Sequence, residues 1–398
     1  MKFMSASKSH HERHHWVAGH IAGLPRSGIR DFFELVSARD EVVSLGIGEP
    51  DFVTPWSIRE ATIYALDQGH TSYTSNLGLI SLRRECCRYV QSEFGVDYQP
   101  DQECIVTVGV SEGLDLVMRA ILNPGDEVIY HQPAFVSYAP AIAMAHARPV
   151  PVHTREADGF VLSAADVENK ITPKTKALLL NYPNNPTGAN LGEPEKAALA
   201  KVAVKHDLLV ITDEIYSELT YGLRGASIAA YPGMRERTVF LHGFSKAYAM
   251  TGYRIGYACG PHQLIDAMMK VHQYSMMCAC GFAQEAAVEA LRNGRDEREA
   301  MREEYRQRRN VIVKRLNDMG LPCSLPDGAF YVFPRISDTG LDSQQFAMRL
   351  LEQKNVAVVP GTAFGEAGEG YVRCSYAASM TDIETAMTRM REFVNELS

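Results

Sequence analysis

Over roughly the first 290 residues, short unbroken apolar runs alternate with stretches in which apolar and polar positions recur at helical spacing. Ile105 to Val108 is a mostly β-branched run that stops at Gly109, and from Ser111 the apolar positions fall at Leu114, Val117, Met118 and Ile121. This change of period predicts a buried strand followed by an amphipathic helix. Asn123-Pro-Gly-Asp126 reads as a turn, and Val128 to Tyr130 as the next strand. The grammar repeats: Ala177 to Leu180, Leu208 to Thr212 and Thr238 to Leu241 predict strands, and Glu193 to His206 predicts a helix. Continuous apolar strands separated by helices imply an α/β fold with a mostly parallel sheet covered on both faces.

The pattern changes in the last third. Arg295 to Asn317 is strongly charged, with Met301, Tyr305, Ile312 and Leu316 on one face, and predicts a long helix. LPDGAFYVFP and VAVVPG predict strands with Gly and Pro punctuation, and a closing amphipathic helix starts at Thr381. A second, α+β domain is expected. No internal repeat or low-complexity linker interrupts the chain, so the two domains are expected to pack closely.

Composition narrows the partners. A chain of 398 residues suggests about two domains, and 46% hydrophobic with 22% charged residues is ordinary for a soluble globular protein. The net charge of −8, with both signs mixed along the chain, offers nucleic acid no basic stripe and an anionic membrane no polybasic patch. A small-molecule partner is therefore expected. The eight cysteines (Cys86, Cys87, Cys104, Cys259, Cys278, Cys280, Cys323 and Cys374) lack paired CxxC spacing, which points to reduced thiols in a cytoplasm and to core filling. No signal-peptide core or membrane-length apolar stretch occurs, so a cytoplasmic location is expected. The opening SHHERHHW sets His10 and His14, and His11 and His15, at i,i+4 spacing. That spacing could in principle chelate a metal, but the stretch is read as a frayed, arm-like terminus and no metal is expected.

Four strand ends carry distinctive residues. LVIT runs into Asp213, with Tyr216 just beyond; LLL runs into Asn181 and then Tyr-Pro-Asn-Asn-Pro-Thr-Gly188. IVTV runs into Gly109-Val-Ser-Glu-Gly113 at a helix start, and VFLH leads to Lys246. Singly, these are a helix cap, a turn, a weak phosphate signal and a surface lysine. In a parallel sheet, however, ligands bind beyond the carboxyl ends of the strands, where all four arrive together. Between Gly243 and Tyr257 the only ionised side chains are Lys246 and Arg254.

Gly243-Phe-Ser-Lys246, then Ala249-Met250, Gly252 and Arg254-Ile-Gly256, resembles the lysine signature of the class I and II aminotransferases, the fold type I enzymes that use pyridoxal 5′-phosphate. SLGIGEPDF at 44–52, SYTSNLG at 72–78, NNPTG at 184–188, DEIY at 213–216 and YVRCSYA at 371–377 extend the resemblance from about Gly23 to the end. It implies a large cofactor-binding domain over 51–290, a small α+β domain from 25–50 with 291–398, and an unassigned extension over 1–24. It further implies that Lys246 holds the cofactor as a Schiff base and moves the substrate Cα proton, for which its amine must be neutral. Asp213 would pair with the pyridine nitrogen. Asn185 and Tyr216 match the donors to the phenolic oxygen, and the Asn185–Pro186 bond is a candidate cis peptide. Phe135 matches the aromatic stacked on the ring. Val110, Ser111, Ser245 and Arg254 would hold the phosphate, and Tyr73 would reach a neighbouring subunit's phosphate, which implies a homodimer. Arg373 matches the arginine that grips the substrate α-carboxylate, where Gly48 leaves room.

Two departures stand out. Many relatives have serine where this chain has Gly243, so Ser245 or backbone would replace one hydroxyl toward the phosphate. No counterpart appears for the second-subunit arginine of dicarboxylate-specific relatives; SMMCACGF at 275–282 is small and apolar, and its methionines suit either a soft pocket or the core. The expected activity is ping-pong transfer of an amino group from an L-amino acid to a 2-oxo acid, with 2-oxoglutarate the acceptor by family habit. The rivals are a β-eliminating lyase on the same cofactor and a non-catalytic ligand-binding protein.

Overall fold

A computed structural model of the chain describes residues 16–25, 41–222 and 224–397. The histidine-rich start lies outside the described residues, as does 26–40 of the expected small domain. In chain order the strands are β1 (Val43–Ser44), β2 (Cys104–Thr107), β3 (Glu127–Gln132), β4 (Arg148–His153), β5 (Thr175–Asn181) and β6 (Leu209–Asp213). They continue with β7 (Thr238–Gly243), β8 (Gly256–Cys259), β9 (Tyr331–Val332), β10 (Val356–Ala357), β11 (Val359–Pro360) and β12 (Val372–Ser375).

Seven strands form the central sheet in the order β2-β8-β7-β6-β5-β3-β4. All pair in parallel except β8, which runs antiparallel to both β2 and β7. Every residue of β7 and the last five of β5 are buried, because helices lie over both faces, and this is why these strands read as unbroken apolar runs. Two strands escape the sequence pattern. β4, RPVPVH, carries two prolines, which only an edge strand tolerates, and it lies at the sheet edge. β8, GYAC, is four residues long and has no alternation to betray it.

The register sets the functional edge. Asn181 pairs with Asp213, Asp213 with Leu241, and both Gly243 and Thr107 with Gly256, so these strand ends finish side by side. The first helix of this edge starts at Gly109, two residues earlier than the apolar pattern suggests. Gly109 makes the sharp entry possible with φ +70, a left-handed conformation that glycine adopts without steric cost.

The last third builds a separate antiparallel sheet, β11-β12-β9, while β1 and β10 pair in parallel. VAVVPG, one apolar run in sequence, is thus divided between two sheets. Leu45 joins a core built mainly from Tyr305 to Val394, to which the helix Arg295–Asp318 contributes Tyr305, Ile312 and Leu316 from its apolar face. Among the described residues no helix is long and apolar enough to cross a membrane.

Candidate active site

A cavity of about 330 Å³ opens where β5, β6 and β7 end. Lys246, Asp213, Tyr216, Asn185, Arg373 and Arg254 line it, together with Val110, Ser111, Phe135, Ser245 and Gly48. Segments as distant as Gly48 and Arg373 therefore meet at one place. Tyr73 does not; its side chain is 82% exposed, outside the cavity of its own chain.

Asp213 closes β6 and is buried. Tyr138 Oη donates to its Oδ2 at 2.8 Å, and the Ile215 N–H donates to Oδ1 at 3.2 Å. Burial raises the carboxyl to about 6 even against these bonds, which favour the ionised form. Asn181, at the end of β5, donates from Nδ2 to the Asp213 carbonyl at 2.9 Å and accepts the Asn185 N–H on Oδ1 at 3.3 Å. The two strand ends and the turn carrying Asn185 are tied together in this way. The Asn185–Pro186 peptide is cis, as the sequence suggested.

Lys246 follows β7, and its Nζ donates to the Gly48 carbonyl at 2.7 Å. Burial lowers its ammonium to about 8; Arg373 and Arg254 add to that, while Glu49 opposes it. Still mostly protonated at neutral pH, this amine gives up its proton far more readily than an ordinary lysine and so can supply the neutral form that attacks a carbonyl carbon.

The site is cationic where an anion should sit. Arg254 holds a left-handed backbone conformation, φ +50, and its Nη1 donates to the Thr251 carbonyl at 2.9 Å. Its guanidinium is pressed to the start of the helix Gly109–Ile121: a Cβ on Gly109 would fall 2.8 Å from Arg254 Nη2. A Cβ on Gly256 would fall 2.7 Å from the Val110 nitrogen. A guanidinium against a positive helix N-terminus is favourable only with an anion between them. The carboxylate of the first turn, Glu112, is engaged elsewhere, accepting the Val108 N–H at 2.5 Å and meeting His272 Nδ1 at 2.6 Å. A phosphate fits this cradle.

Arg373 is a second cation at the site. It is 2% exposed, with Nη1 donating to Asn185 Oδ1 at 3.0 Å and Nη2 to the Gly46 carbonyl at 2.5 Å. Its Nε is buried without a partner, and its guanidinium carbon stands 4.4 Å from the centre of the Tyr331 ring. Burial lowers its ionisation, and among the described residues no carboxylate acts on it. A buried, unpaired guanidinium is costly unless a ligand supplies the counter-charge, and a carboxylate is the group that matches its planar fork.

Several lining residues lay beyond the sequence reading. Tyr138 sits three positions after Phe135 on the same short segment, a spacing that could have marked it as a partner in the site. Tyr331 lies within the stretch read only as a strand; its Oη is 2.9 Å from that of Tyr216, and it would meet a Cβ on Gly48 at 2.6 Å. Gly48 is thus small because of Tyr331 as well as any ligand. At Gly243 a Cβ would lie 3.0 Å from Val110 Cγ2 and 3.2 Å from Gly256 Cα, so the place of the relatives' serine is crowded, and Ser245 lines the cavity instead. Met276 and Met277 are 53% and 44% exposed, which rules out their use as core filler. Of the cysteines, Cys280 is exposed and Cys278 only partly buried; the other six fill the interior.

The sequence matches the family model for aminotransferase class I and II over residues 40–390. An aspartate aminotransferase of Pyrococcus abyssi is 45% identical over 93% of this chain and 96% of that protein. Aromatic-amino-acid aminotransferase 2 of Thermococcus litoralis is 44% identical over the same shares. The solved structure of aspartate aminotransferase from Thermus thermophilus with maleate superposes with a TM-score of 0.90, at 40% identity, covering 94% of this chain and 99% of that one. With a desolvated lysine, a buried aspartate and two arginines that form no ion pair among the described residues in one cavity, the chain belongs to the class I and II aminotransferases, enzymes that work with pyridoxal 5′-phosphate.

Proposed function

We propose that this enzyme moves the α-amino group of an L-amino acid to a 2-oxo acid, with 2-oxoglutarate as acceptor, in two half-reactions that use one site in turn. Arg373 carries the reading: a buried guanidinium with no carboxylate partner among the described residues, in the same cavity as Lys246, fits a substrate defined by its carboxylate. Bound pyridoxal phosphate supplies an electron sink that stabilises negative charge developing on the substrate Cα. Lys246 Nζ holds the cofactor and takes the proton from Cα, for which its lowered pKa suits it. Asp213, fixed by Tyr138 and Ile215, presents a carboxylate to the ring nitrogen. Asn185 and Tyr216 would hold the phenolic oxygen, and Phe135 would lie against the ring, all three lining the cavity. The Val110 and Ser111 amides, Ser245 and Arg254 would hold the phosphate.

The working unit is a homodimer, in which Tyr73 reaches its partner's phosphate. Tyr73, Tyr274, Met276 and Met277 are all exposed, and Asn76 Nδ2 to the Met277 carbonyl at 2.7 Å ties their two segments into one surface. Eight free cysteines favour a reducing cytoplasm. The chain is read as a cofactor domain, 51–290, and a small domain from 25–50 with 291–398; the packing of Leu45 among residues of the last third supports that division.

Relatives named for aspartate and for aromatic amino acids are equally similar, so the donor is a matter for experiment. A panel of aspartate, aromatic, aliphatic, sulfur-containing and diaminopimelate-type donors run against 2-oxoglutarate, with glutamate formation measured, tests the reading. Glutamate from one donor class is the expected result. Pyruvate and ammonia without an acceptor would replace the transferase by a lyase.

A further inference from the structure

At the end of the central sheet opposite the cavity, β2 begins with Cys104 and β8 ends with Cys259, and the antiparallel register sets them side by side. The helix Ile80–Phe94 covers this edge and brings Cys87 against the pair, with Cys86 adjoining. The sulfur atoms of Cys87, Cys104 and Cys259 all lie within 4.8 Å of one another. Cys104 is the hub, with the thiols of Cys259, Cys86 and Cys87 all acting on its own. Cys86, Cys104 and Cys259 are inaccessible to solvent, and Cys87 is 6% exposed.

The spacing suits coordination. Three sulfurs bound to one ion at about 2.3 Å each stand roughly 3.8–4.0 Å apart, so the existing cluster closes on an ion by shifts of less than about 1 Å. All three ligand atoms are sulfur, a set that selects soft ions over oxygen-seeking ones. Charge then selects the valence. Arg83 is buried, donating from Nε to the Gly78 carbonyl at 3.2 Å and from Nη1 to the Pro100 carbonyl. Among the described residues no carboxylate forms an ion pair with it, and its field acts on Cys104. Three thiolates around a divalent ion leave one net negative charge, beside Arg83 and against the opposing fields of Glu103 and Glu85; a monovalent ion would leave two, which a single arginine could not balance.

We propose that Cys87, Cys104 and Cys259 form a binding site for a soft divalent ion of the zinc and cadmium class, separate from the aminotransferase centre. Binding breaks three S–H bonds, delivers three protons to solvent and forms three sulfur–metal bonds, with no change of oxidation state. The site is reachable because β2 is the edge strand, so an ion has only the seam between that strand and its covering helix to cross.

The test is a titration of the reduced, cofactor-loaded full chain with cadmium ion. The expected result is an ultraviolet thiolate-to-cadmium absorption that saturates at one ion per chain, accompanied by proton release, with zinc competing and the visible cofactor spectrum unchanged. Cys104→Ser abolishes the saturating absorption, whereas Cys278→Ser with Cys280→Ser, which alters the two cysteines outside the buried interior, keeps it. Should Cys104→Ser fail to fold, alkylation of wild-type Cys87 decides: bound metal slows it about tenfold or more, because a coordinated thiolate is not free to react. Absence of the absorption in the wild type, its survival in folded Cys104→Ser, or unchanged Cys87 labelling overturns the proposal. None of these readouts depends on which amino acid the enzyme uses.

Discussion

Asp213→Asn should stabilise the enzyme stripped of its cofactor while weakening its hold on that cofactor. The Asp213 carboxyl is raised from 3.8 to about 6, chiefly by burial. A group whose folded pKa exceeds its unfolded value binds more protons in the folded state over that window, so stability is lost as pH rises through it. The full loss is about 3 kcal/mol, from a shift of roughly two units at 1.36 kcal/mol each. By the same relation about half is already incurred at pH 5, leaving about 1.4 kcal/mol to appear between pH 5 and pH 8. Asparagine has the same shape and no charge; its oxygen accepts from the Ile215 N–H and its amide donates to Tyr138 Oη, which leaves only the Tyr138 O–H without its former acceptor, a cost that does not vary with pH. Denaturant unfolding of both apoproteins, at equal protomer concentration across this pH range, should show the variant ahead at pH 8 by about 3 kcal/mol, less the cost of the Tyr138 O–H, the margin narrowing by about 1.4 kcal/mol toward pH 5. A variant no more stable than wild type at pH 8, or a margin independent of pH, would refute the reasoning.

Lys246→Ala should lose the cofactor's visible absorption band and nearly all turnover; in the wild type, reloading of apoenzyme with cofactor should accelerate with pH and level off near the amine's value of about 8. A rise continuing toward 10.5 would mean that the lysine is not desolvated as described. Arg373→Ala should cost about 3 kcal/mol, roughly a hundredfold in kcat/KM, with cofactor affinity little changed, and Arg373→Lys should recover only part of it. Equal loss of cofactor binding would place Arg373 in a different role. Gly109→Ala should weaken cofactor binding, since the new Cβ combines a strained φ with a 2.8 Å approach to Arg254 Nη2. Unchanged affinity, measured by fluorescence titration, would show that this turn does not shape the phosphate cradle.

The apolar runs of the chain determined the strands that lie deep in the sheet, β3, β5, β6 and β7, because burial on both faces leaves an unmixed signal. They were silent on β4, whose prolines are tolerable only at an edge, and on β8, too short for any period. The residue types of the site were legible for a related reason: Asp213 and Lys246 sit at strand ends, where a polar residue after an apolar run is conspicuous, and Arg373 stands within a recognisable motif. What only the tertiary structure decided is company and charge state. Tyr138 beside Asp213, Tyr331 against Gly48, and Arg83 near the sulfur cluster come from segments whose separation in sequence carries no information about contact. Burial sets Asp213 at about 6 and Lys246 at about 8, and burial is a property of the folded environment that no stretch of residues possesses alone.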